Sequence, residues 1–300
     1  MTIRVGIIGW GEIGQVYASL LEGAGAKFSG LVSRRQDVAV NVPVYDSFTE
    51  MLPHIDASII AVPNFLHAAL CLQSVRAGKP VLVEKPICIS SAELAELETV
   101  LPEKKVPVHV GYRLRWNPSL RQLKKRLQKI SRIECVYRIG IDHLAAGKDW
   151  TLKMEKTGGA FFAIGVHSLD LVRWLAGAEG QELENIKSSA SGINRLTDFP
   201  LHVKMSGTLP SGVELTAGAD LTGSSDSVID LRVEAEEGSY PDPELPPPQP
   251  EDEKIELAGL LKNFVRAVNK YDWNPVYTAE FLETHRELIW ARSQQHLFPK

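Results

Sequence analysis

Cysteine is scarce: the 300-residue chain has three, Cys71, Cys88 and Cys135. An odd number so widely spaced excludes a disulfide framework and a thiolate metal site as organising features, and no metal ligand set is expected. It points to a reducing compartment, read here as the cytoplasm. Charge of one sign is lacking too. The formal net charge of −4 gives no general attraction to nucleic acid or to an anionic membrane. No apolar run approaches the roughly 20 residues of a membrane span, and Met1-Thr2-Ile3-Arg4 leads straight into an apolar stretch with no signal-peptide pattern. Internal repeats are absent. The one low-complexity segment, Pro241 to Glu253 with Pro246-Pro247-Pro248 at its centre, reads as a Pro-rich loop or polyproline arm, because it interrupts a folded region. The remainder, 44% hydrophobic and 23% charged, has the make-up of an ordinary globular protein. Its length exceeds what a single core usually organises, so two domains are expected, with bounds 1–118 and 119–300.

What is present is clearest at the start. An apolar strand, Ile3 to Ile8, runs into Gly9-Trp10-Gly11-Glu12-Ile13-Gly14, and Ile13, Val16, Tyr17, Leu20 and Leu21 follow at helical spacing. In such a strand-turn-helix unit the first glycine makes a tight turn, the second admits a pyrophosphate to the backbone, and the third lets helix and strand pack closely. The helix N-terminus adds unpaired N–H donors and the positive end of its dipole. A dinucleotide site is therefore expected over Gly9–Gly14. About 20 residues beyond the glycines, an NAD site usually carries Asp or Glu for the ribose 2′-hydroxyl. This chain reads Ser33-Arg34-Arg35 instead, which suits a 2′-phosphate, so NADP(H) is favoured. NAD(H) stays open because Asp37 follows closely.

Strands and helices alternate through the first third. Apolar runs at Ser58–Val62, Val81–Val83 and Val106–Val110 are separated by helical spacings, one closed by Gly78 and one opened by the capping box Ser90-x-x-Glu93. Such alternation implies a doubly wound parallel sheet of the Rossmann type, with its ligand beyond the strand C-termini. After about residue 118 the pattern changes. Leu120, Leu123, Leu127 and Ile130 suggest one amphipathic helix, whose basic run is read as a solvated face. Period-two strands follow: Leu201–Leu209 and Val213–Leu221 read as a hairpin about Pro210-Ser211-Gly212, extended by Ile229, Leu231 and Val233. Two closing helices, Ile255–Asn269 and Thr278–Gln295, are placed to pack back on the first domain. The expected fold is α/β: a Rossmann domain plus an α/β domain with a mainly antiparallel sheet. A free sheet face rich in Val, Leu and Ala would pair with a copy of itself, giving a homodimer or homotetramer.

Val81-Leu82-Val83-Glu84-Lys85-Pro86 makes the reading specific. With Ala61-Val62-Pro63-Asn64-Phe65-Leu66-His67, Ala77-Gly78-Lys79-Pro80, Gly111–Pro118 and Gly158–Asp170, it resembles the glucose-fructose oxidoreductase / inositol dehydrogenase / rhizopine catabolism family of NAD(P)-dependent oxidoreductases. The motifs stand in family order and cover essentially the whole chain. The resemblance implies cofactor contacts at Val62, Pro63, Asn64, His67, Glu84 and Lys85, a cis Lys85-Pro86 bond, and catalytic roles for Lys85 and His167. Chemistry alone supports Lys85, whereas a lone histidine on a helix is more often structural, so the role of His167 is what the resemblance implies. Lys85 sits just past a buried parallel strand, where desolvation lowers an ammonium pKa, and histidine is the usual proton carrier near neutrality. Asp170 is read as structural. The family segment Tyr112, Arg113 and Trp116, together with Lys85 and His167, forms the candidate substrate contacts. A sugar or polyol, a nucleotide-linked sugar and a small carbonyl compound all remain open. One departure stands out: sugar-oxidising members commonly carry Asp four residues before the histidine, and this chain has Ala163. The expected activity is hydride transfer at a hydroxyl or carbonyl. The alternative is a non-catalytic NADP(H)-binding regulator with the same fold.

Overall fold

A computed structural model describes residues 2–35, 37–145, 149–192, 196–223, 227–236, 238–241, 248–249 and 252–294. Most of the proline-rich segment lies outside the described residues. Six strands form the first sheet: β1 (Ile3–Ile8), β2 (Ala26–Val32), β3 (Val44–Tyr45), β4 (Ala57–Ile60), β5 (Val81–Val83) and β6 (Val108–Val110). They pair in parallel in the order β3-β2-β1-β4-β5-β6. The order reverses between β1 and β4, and a doubly wound sheet binds its ligand at that crevice. All of β4, β5 and β6 is buried, which accounts for their mostly apolar character, broken only by Ser58 and His109. Helices Glu12–Leu20, His67–Arg76 and Ser91–Lys104 cover the faces. The last opens on the expected capping box: Ser90 Oγ accepts from the Glu93 N–H, and the Glu93 carboxylate accepts from the Ser90 N–H at 3.0 Å.

The second sheet contains β7 (Ile130–Arg138), β8 (Glu184–Ser191), β9 (His202–Thr208), β10 (Glu214–Asp220), β11 (Val228–Ala235) and β12 (Gly238–Tyr240), in the order β12-β11-β7-β10-β9-β8. Only β7 and β10 run parallel. Two expectations need correcting here. The hairpin β9–β10 forms, but β11 does not extend it, because β7 lies between and pairs with both β10 and β11. Nor does one helix reach Ile130. The helix Pro118–Arg126 stops at Leu127, whose ψ of 125° is extended, and Lys129 turns the chain at φ 48° into β7.

The free face of this sheet is also unlike the expectation. Leu215, Ala217, Ala219 and Leu221 are buried with Val203, Met205, Leu231 and Val233 in the core. Alternation along the strands therefore puts Glu134, Arg138, Lys204, Asp220, Asp230 and Arg232 around the hollow on the other face. Arg138–Asp220 and Lys204–Glu134 are paired at 2.6 Å each. That face is charged, so an apolar sheet face gives no support for self-association.

The closing helices, Glu253–Lys270 and Pro275–Gln294, bracket the first sheet. Leu257, Leu260, Leu261, Phe264 and Val265 share a core with Ile3, Val5, Ile7 and Tyr17. Phe281, Leu282 and Leu288 share another with Leu94, Leu97 and Leu171. One stretch, Met154–Ala176, does match a membrane span by length and composition, contrary to the reading of apolar runs, but 89% of its window is buried inside the protein. It connects β7 to β8 and packs on β7 and β10 of the second sheet.

Candidate active site

Each glycine of the N-terminal turn has its own reason. Gly9 has φ +101°, and a Cβ there would lie 2.1 Å from the Ala61 carbonyl oxygen. A Cβ on Gly14 would lie 2.2 Å from the Gly9 oxygen, so helix and turn pack as closely as backbones allow. A Cβ on Gly11 would meet nothing within 4 Å, and Gly11 caps the following helix with no side-chain hydrogen bond. The open space thus lies over unpaired N–H groups of Gly11, Glu12 and Ile13, as a pyrophosphate requires. Trp10 leaves the cradle and stacks on Phe28 at 5.6 Å. Beyond β2, Arg35 is occupied: its guanidinium pairs with Asp37 at 2.9 Å, and its N–H donates to Ser33 Oγ at 3.1 Å. The guanidinium's hydrogen bonds to the Asp37 carboxylate are the main reason Asp37 titrates below the ordinary carboxylate range. Arg34 is exposed and has no ion pair among the described residues.

Lys85-Pro86 is cis. His67 fixes the loop that carries it. The two ring nitrogens lie 2.7 Å from the carbonyl oxygens of Val62 and Pro86, and the residue is 1% exposed. Carbonyls only accept and a neutral imidazole has one N–H, so one of these contacts is a hydrogen bond. Burial holds the ring neutral, with a pKa near 4. His67 therefore positions the loop instead of facing a cofactor, which corrects its expected role. Val62 lies against Gly9, and Asn64 donates to the Thr157 carbonyl at 3.2 Å. Glu84 is held by the Tyr17 hydroxyl at 2.7 Å and by the Lys85 N–H at 3.3 Å. It fits only because Gly111 has no side chain, since a Cβ there would sit 2.8 Å from the carboxylate.

Lys85 points across to the second half of the chain, and its Nζ donates to the Ala163 carbonyl at 2.9 Å. Burial lowers its pKa, Glu84 opposes that, and Arg113 lowers it further. Ala163 lies in a π-helical turn, Phe161–Gly165, that leads into the helix Val166–Ala176. Such turns are frequent at functional sites. One turn on, His167 is 5% exposed and stacks on Tyr137 at 5.6 Å. Burial, then the charges of Lys85 and Arg113, push its pKa far below the usual value. Its Nδ1 is sealed with no partner among the described residues, so exchange with a ligand falls to Nε2. Ser168 anchors this helix: its hydroxyl donates to the Gly218 carbonyl at 2.7 Å and accepts from the Tyr137 N–H at 3.1 Å.

The candidate substrate segment does not converge on this pair. Tyr112 is 1% exposed, and its hydroxyl lies 3.5 Å from His285 Nδ1, so it is a core residue. Arg113 is held by Glu256, by Glu253 at 3.3 Å and by the Tyr137 hydroxyl at 3.3 Å, so it is not a free anion receptor. Trp116 packs against Gly259 beneath the Arg121 guanidinium, 4.9 Å away. Asp170 faces away from His167 in a buried cluster: Arg115 binds both Asp170 and Glu280. Burial raises Asp170 to about 6 against the pull of Arg115. Its structural reading therefore agrees with the geometry.

Sequence reading missed Tyr17, Tyr137, Glu253 and Glu256. Tyr137 carries a readable signal, as an inward position of an alternating strand. The two glutamates come from the last third of the chain, and nothing local marks them. The hollow on the charged face of the second sheet, about 640 Å³, contains neither Lys85 nor His167; chemistry, not size, identifies the site.

Residues 3–112 match a family profile described as an oxidoreductase family with an NAD-binding Rossmann fold, and residues 123–240 match the GFO/IDH/MocA C-terminal domain. An inositol 2-dehydrogenase from Rhizobium meliloti is 29% identical over 190 residues, 60% of this chain and 56% of that protein. The rhizopine catabolism protein MocA of Rhizobium meliloti is 28% identical over 236 residues, 76% of this chain and 70% of that protein. The chain thus spans little more than half the length of the inositol dehydrogenase it matches. The same fold occurs in GenD2 from gentamicin A biosynthesis, solved with NAD, at a TM-score of 0.82 and 17% identity over 97% of this chain and 93% of that one. It occurs also in scyllo-inositol dehydrogenase from Lactobacillus casei, solved with NAD(H) and scyllo-inositol, at a TM-score of 0.78 and 20% identity over 99% and 98%.

Proposed function

This chain belongs to the GFO/IDH/MocA family of oxidoreductases, and from that premise we propose that it transfers a hydride between a nicotinamide dinucleotide and a hydroxyl or carbonyl of a polyol- or sugar-like molecule. The observation that carries the reading is the meeting of Lys85 and the π-helical turn before His167 at the C-terminal ends of the parallel strands, beside the glycine cradle. Gly11, Glu12 and Ile13 would hold the pyrophosphate, Arg34 the adenine-ribose phosphate of NADP(H), and the bound nicotinamide would supply or accept the hydride. The protein's own work is proton movement and orientation. Lys85, its pKa lowered by burial, exchanges a proton at Nζ with the substrate oxygen and in the charged form stabilises negative charge there. His167, held neutral, accepts a hydrogen bond or proton at Nε2. Arg113, neutralised by Glu253 and Glu256, braces Tyr137, and Tyr137 braces the imidazole face.

Lys85→Ala and His167→Ala should each lower kcat by about 10²-fold or more while the dinucleotide still binds as in the parent. Turnover of a panel of inositols, sugars and ketones, followed by NAD(P)H absorbance, measures this. A substrate turned over equally by parent and both variants would overturn the assignment. Ala163 favours a second reading, a dinucleotide-binding regulator that has lost its chemistry. That reading requires no turnover of the whole panel by the parent.

A further inference from the structure

The geometry points to a second ligand site, behind the turn Arg113–Trp116, that takes a small oxyanion, a carboxylate or a phosphate. A cavity of about 280 Å³ lies there, between that turn and the two closing helices. Drug-sized sites run from about 300 to 1,000 Å³, so this one suits a small metabolite. It is separate from the cleft of Lys85 and His167. Along the turn Arg113 reaches Glu256 and Tyr137, whereas Arg115 and Trp116 line the cavity.

The wall is rich in guanidinium donors. Arg115 is satisfied by Asp170 and Glu280. Arg121 and Arg266 are exposed, and neither has an ion pair among the described residues. Arg121 donates to the Arg115 carbonyl at 3.4 Å, and Arg266 to Asn263 Oδ1 at 3.1 Å. The second bond has a consequence for the neighbouring imidazole. With its oxygen accepting from Arg266, Asn263 presents its amide nitrogen to His109 Nε2, 3.0 Å away. Nε2 is then an acceptor, and a neutral ring must carry its proton on Nδ1. Burial holds the ring neutral, with a pKa near 4. That Nδ1–H is sealed with no partner among the described residues, in a residue 8% exposed, so the anion would be held by the arginines and not by this ring. Asp272 is the one carboxylate on the wall. It faces Arg121 and Arg266, two guanidiniums with no ion pair among the described residues, and the planar fork of arginine matches carboxylate and phosphate oxygens.

Calorimetric titration of the full chain tests this, with inorganic phosphate in one arm and benzoate in the other. Saturable binding of either probe is expected, and the arm that responds says which oxyanion the site prefers. Arg121→Gln combined with Arg266→Gln, both exposed and safe for folding, should weaken that binding at least about tenfold, or 1.4 kcal/mol. Lys85→Ala should leave it unchanged. The site is refuted by absence of saturable heat with both probes, by equal affinity in the double variant, or by loss of binding in Lys85→Ala, which would place the ligand in the cleft.

Discussion

At the scale of single residues, charge placement decides cofactor choice. Where a ribose-binding carboxylate would stand, the chain has Ser33, Arg34 and Arg35, and the structure divides their work. Arg35 neutralises Asp37, which removes the nearby carboxylate that would repel a phosphate. Arg34 is left as the guanidinium without an ion pair among the described residues. NADPH should therefore bind at least about tenfold tighter than NADH, about 1.4 kcal/mol, and Arg34→Ala should remove most of that preference. Calorimetry with both cofactors settles the matter, and equal affinities in the parent would sink it. The same locality made the Gly9–Gly14 cradle legible in the sequence, since tight turns and helix N-termini are built from neighbours in the chain.

Among elements, the histidine tie is instructive. His67 links the loop after β4 to the cis loop after β5 by way of the Val62 and Pro86 carbonyls. Its folded pKa, near 4, lies below the unfolded value of 6.5. Below 6.5 the unfolded chain takes up a proton that the folded ring refuses, so this group's contribution is intact above 6.5 and is lost as pH falls toward 4. His67→Gln abolishes the titration. Its stability deficit relative to the parent should therefore narrow on acidification through that window, by up to about 1.4 kcal/mol per pH unit. Denaturant midpoints for the pair across the window provide the check; a deficit constant with pH would show that His67 does not titrate on unfolding. Local sequence placed His67 in a motif and the resemblance gave it to the cofactor. Only the packed structure shows both ring nitrogens set against backbone carbonyls, one of them by a hydrogen bond.

Across the whole molecule, a buried charge cluster joins distant parts of the chain. Arg115 follows β6, Asp170 lies on the helix Val166–Ala176, and Glu280 lies on the last helix. Glu280 still balances Arg115 when Asp170 is lost, but the buried Nε–H that only Asp170 accepts from is left unmade, which typically costs about 1–3 kcal/mol. Asp170→Ala should lower unfolding stability by that order, measured by denaturant titration. A loss below about 1 kcal/mol, the range of surface pairs, would mean the cluster is solvated and not a tie. On the same scale, the charged outer face of the second sheet replaces the apolar one expected from composition. A run such as Leu215, Ala217 and Ala219 reveals alternation but not which side faces the core.

Sequence alone determined what short-range physics fixes: the parallel alternation, the glycine turn, the Ser90 capping box and the β9–β10 hairpin all depend on residues close along the chain. Lys85 and His167 could be singled out as candidates because each sits in a local motif. Tertiary structure decided what depends on distant partners. It inserted β7 between β10 and β11, because strand pairing across many residues leaves no periodic trace. It buried Tyr112 against His285 and occupied Arg113 with Glu253 and Glu256, because those partners come from the last third of the chain. It brought Lys85 Nζ to the Ala163 carbonyl through a π-helical turn, since a backbone acceptor has no side-chain signature and belongs to any residue until the fold selects one.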